Sequence, residues 1–135
     1  RPSMSEIKTD KLTGVGTAGS IVVTGEGNST TTNLQQGLAK VWSHIQGSDA
    51  AIQDSFNVSS STDVGTGRET ITFSNNMNND DYSGHISSSG AGSPALFYSR
   101  IRVLSTSQFG DDAVNSGGAY TDAADICYSI NGDLA

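Results

Sequence analysis

Alternation of apolar and polar residues marks most of the second half of this chain. In RETITFS, Ile71 and Phe73 fall on one face and Arg68, Thr70 and Thr72 on the other, the period-two pattern of a strand with one buried side. ALFYSRIRVLS is the strongest such run. Phe97, Ser99, Ile101 and Val103 point one way; Leu96, Tyr98, Arg100, Arg102 and Leu104 point the other. ADICYSING repeats the pattern with Ile126, Tyr128 and Ile130, and DSFNVSS gives a shorter version in Phe56 and Val58. DYSGHIS reads as a weak strand broken by Gly84. STDVGTG, NNMNNDD and SSGAGSP have turn and loop chemistry. TSQFGDDAVNSGGAYTDA reads as a long loop with room for a small hairpin. Short strands at this spacing, with few helical signals, predict an all-β fold: an antiparallel, jelly-roll-like β-sandwich.

The first third has a different texture. Ile7, Leu12, Val15, Ile21, Val22, Val23 and Leu34 are spread thinly among Gly and Thr. Ser20 to Thr24 predicts a short strand and Gly25 to Asn28 a turn. Such a segment cannot build a core alone and needs partners. The junction is ambiguous. Leu34, Leu38, Val41 and Ile45 share one helical face, with Gly37 against it at about 1 kcal/mol relative to Ala. Val41, Ser43 and Ile45 also alternate with Trp42 and His44, as in a strand. A short helix or turn over Thr31 to Gln36 running into a strand from Ala39 satisfies both patterns. Residues 1–4 are expected to be an added leader and start Met, 5–37 an extended attachment or oligomerisation segment, and 38–135 the sandwich head.

Composition narrows the function. The net charge of −7 disfavours a nucleic-acid surface. No stretch approaches the roughly 20 apolar residues that span a bilayer, so membrane insertion is not expected. The single cysteine, Cys127, excludes an internal disulfide; its apolar neighbours predict a buried, inert thiol.

Candidate chemistry is sparse. GxSxG, HExxH, CxxC and P-loop patterns are absent, and GTAGS lacks the lysine and helix start of a phosphate cradle. His44 and His85 are the only histidines, too few with one cysteine for a zinc site. No cofactor or metal is expected. Loop acids and amides at Asn78, Asp80, Asp81, Asp111 and Asp112 are oxygen ligands of the kind Ca²⁺ takes, but without EF-hand spacing they read as solvated turns. Together with Phe109 and Tyr120, aromatic rings able to stack on a sugar, they are the candidate ligand-binding residues, in loops 75–81 and 109–120; 90–94 is a third candidate loop. The mixed face of Tyr98, Arg100 and Arg102 suits a subunit interface, where Arg and Tyr are enriched. Trp42 and His44, side by side on one strand face, form a second interface candidate.

SEIKTDKLTG followed by GSIVVTGEG resembles the N-termini of phage tail-fibre and virion-appendage proteins. GLAKVWSHIQGSDAAIQDSFNVSSSTDVGTGRETITF resembles a domain of predicted marine-phage proteins, carried here by Trp42, Asp54, Ser55, Phe56, Asn57, Val58, Thr62, Asp63, Gly65, Thr66, Gly67, Thr70 and Phe73, with Tyr82 beyond. The resemblance implies a structural protein of the virion, often a tail fibre and generally a homotrimer, with no catalytic residues to carry over. It also implies that residues 39–46 form a strand. The expected function is a non-enzymatic attachment appendage that contacts other virion proteins and presents its head loops to a host-surface glycan, avidity in a trimer suiting such weak contacts. Two alternatives stay open: a capsid-decorating or connector protein without receptor role, and a small glycan-cleaving hydrolase, which requires two carboxylates roughly 5–9 Å apart across a cleft.

Overall fold

Val41, Ser43 and Ile45 are buried while Trp42 between them is 40% exposed, so the ambiguous junction resolves as a strand. This is seen in a computed structural model that describes residues 6–16, 21–25, 29–90 and 98–134. The chain divides into two compact units, Arg1–Gly37 and Leu38–Ala135. In the first, β1 (Val22–Thr24) pairs antiparallel with β2 (Thr31–Asn33), and α1 (Leu34–Gly37) follows. The predicted Gly25–Asn28 turn and the start of its strand at Ser20 fall largely outside the described residues. Asn33 starts the helix: its Oδ1 accepts from the amides of Gln35 at 2.8 Å and Gln36 at 3.2 Å, the work of an N-cap. The helix ends at Gly37, so the helical spacing of Leu38, Val41 and Ile45 is not used.

The second unit is the predicted β-sandwich. Its strands are β3 (Val41–Gln46), β4 (Ala51–Phe56), β5 (Val58–Gly65), β6 (Arg68–Phe73), β7 (Ser83–Ser89), β8 (Tyr98–Ser105), β9 (Gln108–Val114) and β10 (Asp125–Asn131). They form two four-stranded antiparallel sheets, ordered β4-β3-β10-β7 and β5-β6-β9-β8. Between them lie Val41, Ile45, Ile126, Tyr128 and Ile130 from one sheet and Ile71, Phe73 and Phe109 from the other. Phe109 meets Tyr128 edge-on at 5.1 Å and Phe73 at 5.8 Å between centroids, separations that aromatic pairs favour.

DSFNVSS, read as one strand, is two. Phe56 ends β4 in the first sheet and Val58 begins β5 in the second. Asn57 makes the corner at φ +60°, a left-handed conformation that asparagine tolerates better than most residues. Its side chain holds the corner: Nδ2 donates to the carbonyls of Lys40 and Asn75, both at 3.1 Å, and Oδ1 accepts from the Asn75 amide at 2.7 Å.

Four further expectations are corrected. β5 runs through STDVG, and the turn is confined to Thr66 and Gly67. Gly84 does not break its strand: a Cβ there would lie 2.5 Å from the Cδ1 atoms of both Ile101 and Ile130, so its bare backbone gives these side chains room to pack. The long loop of TSQFGDDAVNS is largely β9, a central strand. Glycine and paired aspartates are depleted in strands, and here neighbouring strands satisfy them, as described below. Cys127 is exposed rather than buried, because Ile126, Tyr128 and Ile130 take the inward positions of β10. The strongest sequence signal, β8, is an edge strand; Leu96 and Phe97 lie outside the described residues.

Candidate functional site

Outward-facing residues of β6, β8 and β9 converge on Asp112. The β8–β9 ladder sets Arg100 opposite Asp112 and Arg102 opposite Gly110, while Arg68 opens β6 on the other side of β9. Arg100 donates from Nε to Asp112 Oδ2 at 2.7 Å, with Nη2 2.6 Å from the same oxygen. Arg102 Nε stands 3.0 Å and Arg68 Nε 3.6 Å from Oδ1. Gly110 makes the Arg102 placement possible: a Cβ there would come within 2.7 Å of Arg102 Nη2. The arginines cover Asp112, whose residue exposure is 4%. The Arg100 and Arg68 side chains stay 69% and 44% exposed. Bonding to Asp112 holds the Arg100 guanidinium above its usual range.

Tyrosines border this cluster. Tyr98, Ser99, Arg100, Asp112, Val114 and Tyr120 line a cleft of about 290 Å³. Tyr120 is set by the turn after β9. Asn115 Oδ1 accepts from the amides of Gly117 at 2.9 Å and Ala119 at 3.1 Å, and Nδ2 donates to Thr121 Oγ1 at 3.1 Å. A bridge between Val114 and Tyr120 then returns the chain to the sheet. The Arg68 guanidinium lies 5.6 Å from the Tyr120 ring centroid, within cation–π reach.

Electrostatically the spot is inverted relative to the rest of its unit. Residues 38–135 hold eleven carboxylates and four cationic side chains, Lys40, Arg68, Arg100 and Arg102. All three arginines stand against one carboxylate. A guanidinium carries five N–H donors, so a single carboxylate cannot occupy three of them. The site therefore offers positive charge and donors to an anion, beside exposed aromatic surface.

The alternate residues of the same strands build an opposite cluster inside the sandwich. Glu69 and Asp111 are both fully buried, and the Glu69 amide donates to Asp111 Oδ1 at 3.0 Å. Burial, then the bond and charge of Asp111, push the Glu69 carboxyl up to about 9. Burial also raises Asp111. Tyr128 is raised too, by burial first and then by the charges of Asp111 and Glu69. Glu69 therefore keeps its proton at neutral pH, and the buried pair is sealed from any ligand.

The structure thus regroups the candidates. Tyr98, Arg100 and Arg102, read as an interface, and Asp112 and Tyr120, read as loop ligand residues, belong to one site. Phe109 and Asp111, also expected in a loop, are buried in β9 and cannot contact a ligand. Asn78, Asp80 and Asp81 are exposed in the β6–β7 connection and do not line the cleft. Most of the third candidate loop, 91–94, lies outside the described residues. Trp42 and His44 share the outer face of the other sheet, where His44 Nε2 lies 3.0 Å from Asp125 Oδ1 and Ser89 Oγ donates to Asp125 Oδ2 at 3.1 Å. Those bonds, His44 first, hold the Asp125 carboxyl below its usual range. Arg68 and Glu69 were missed. Alternation places Arg68 on an outer face, but nothing in the sequence shows that β9 is its neighbour. Among the described residues, no group of three or more His, Cys, Asp or Glu side chains could hold a metal ion.

Comparison with family models, curated proteins and solved structures finds no significant match, and the functional reading rests on the residues of this chain.

Proposed function

We propose that the protein is a non-catalytic binding domain, a tail-fibre-like appendage of a phage virion, which holds a host-surface ligand in the cleft of Tyr98, Arg100 and Tyr120. The observation that carries this reading is three arginines gathered around one covered aspartate, flanked by two exposed tyrosines, in a unit otherwise dominated by acids. Rigid aromatic and arginine side chains are the groups on which recognition surfaces concentrate their affinity. The resemblance to virion appendages supplies the setting. Burial of Glu69 and Asp111 favours binding over glycan hydrolysis, since neither carboxyl can reach a substrate.

The same reading includes a homotrimer. Ile7, Leu12 and Val15 are 89%, 60% and 103% exposed, apolar surface that neighbouring copies would cover. Trp42 and Phe56, register partners on β3 and β4, form a second exposed apolar pair. Trimerisation would multiply weak single-site contacts by avidity.

The test is binding of labelled protein to a panel of marine bacterial cells, with light scattering for the oligomer. Binding to a subset of strains that is lost in Tyr120→Ala supports the reading. Equal binding by the variant, or no binding to any strain, removes the cleft from attachment. A monodisperse monomer at tens of micromolar removes the trimer.

A further inference from the structure

The chemistry of the cleft selects among ligands. We propose that it takes a single sugar ring carrying one anionic group, a carboxylate or a sulfate, with the anion on Arg100 and the ring against Tyr120 and Tyr98. This rests on the cleft reading above and specifies what the cleft holds.

Size is the first argument. At about 290 Å³ the cleft lies at the lower end of the roughly 300–1,000 Å³ of small-molecule sites. It suits one ring-sized group, not an extended chain. Charge is the second. Three guanidinium groups meet one carboxylate, whose oxygens lie within 2.6–3.6 Å of their nitrogens. The surplus charge and donors suit the planar oxygens of a carboxylate or sulfate, which arginine binds with two parallel hydrogen bonds. A neutral sugar would leave that surplus unanswered. The field of the whole chain is the third. With a net charge of −7, a polyanion such as a nucleic acid is repelled beyond the cleft, whereas one isolated charge is served by the local arginines alone. The aromatic borders are the fourth. Tyr98 and Tyr120 are 63% and 47% exposed and line the cleft together with Arg100, so ring and anion sites adjoin. Ser99 adds a hydroxyl to the lining.

Asp112 sets the strength. It holds Arg100 by two nitrogens and so orders the fork before a ligand arrives, which reduces the ordering cost of binding. It also cancels part of the charge, so a weak, salt-sensitive contact is expected.

The experiment is titration of the intact protein, followed by NMR chemical shifts, with methyl glucuronide, methyl glucoside, galactose 6-sulfate and sodium sulfate. Millimolar binding of one or both anionic sugars, at least tenfold tighter than methyl glucoside and than sulfate alone, supports the proposal; the preferred anionic sugar distinguishes carboxylate from sulfate. Arg100→Gln should lose at least tenfold and Arg100→Lys less, with backbone shifts elsewhere unchanged. Arg100 is on an edge strand and largely exposed, so both variants are expected to fold; Tyr120→Ala, outside any strand, should also lose binding. Equal binding of methyl glucoside, equal binding of sodium sulfate, or an unaffected Arg100→Gln overturns it. If cells bind in a Tyr120-dependent way while Arg100→Gln binds them normally, the ligand class fails and the attachment reading stands.

Discussion

The Glu69 backbone amide donates to Asp111 Oδ1 at 3.0 Å, and the carboxyls of both residues are buried between the sheets. Burial and Asp111 push Glu69 from 4.5 up to about 9. Between those values the unfolded chain has released the Glu69 proton and the folded chain still holds it. The folded state binds more protons, so stability falls as pH rises through this window. Asp111 is raised as well and adds the same sign. Denaturant unfolding should show a decline of at most about 1.4 kcal/mol per pH unit for each such proton, most of it gone above pH 9. Glu69→Gln has no proton to release and should flatten its share. Parallel curves for the two proteins would show that Glu69 ionises normally.

On the other face of β9, Asp112 is the only carboxylate that contacts all three arginines among the described residues. Replacing it by Ala leaves Arg68, Arg100 and Arg102 crowded together with like charges. The arginines left behind are partly exposed, so solvent screens much of the cost and the loss is smaller than for a fully buried pair. Added salt screens the remaining repulsion. Asp112→Ala should therefore lower the melting temperature, and 0.5 M salt should restore part of the loss. A loss that salt leaves unchanged would point to packing instead.

These two clusters mark where the sequence could be read and where it could not. Alternation located the outward Arg68, Arg100 and Arg102 and the inward Ile71, Phe73, Ile126, Tyr128 and Ile130, because one-sided burial writes itself into a strand at period two. β9 was missed for the same reason. Its inward face carries Asp111 beside Phe109 and Ala113, and its outward face carries Gly110 and Asp112. Each departure is offset by a group on a different strand: Glu69 for Asp111, the arginines for Asp112, the Arg102 guanidinium over Gly110. Such compensation depends on which strands are neighbours, and sequence order does not state that. The sandwich was legible; the site needed β9 between β6 and β8.

Gly67 and Gly118 separate backbone strain from crowding. Both have left-handed φ, +63° and +81°. A Cβ at Gly118 meets nothing within 4 Å, whereas one at Gly67 falls 2.5 Å from the Ala113 carbonyl oxygen and 2.7 Å from the Thr121 amide nitrogen. Gly118→Ala should cost about 1 kcal/mol, the conformational penalty alone. Gly67→Ala adds displacement of the backbone that carries Tyr120, and should cost about 3 kcal/mol or more in chemical denaturation. It should also weaken ligand binding, which Gly118→Ala should not. Equal destabilisation by the two would mean that the turn yields without strain.

Asn57 combines the same two contributions in one residue. Its φ of +60° sets the corner by which the chain leaves one sheet for the other. Its side chain ties Lys40, which precedes β3, to Asn75, which follows β6. Asn57→Gly keeps the conformation and loses the hydrogen bonds, for about 2 kcal/mol if the Lys40 and Asn75 groups are left partly unpaired. Asn57→Ala loses both and should be about 1 kcal/mol worse than the glycine variant. Urea midpoints of the three proteins should fall in the order asparagine, glycine, alanine. Alanine above glycine would show that the strained corner relaxes once its hydrogen bonds are gone, and that the side chain rather than the backbone dictates where the chain crosses between sheets.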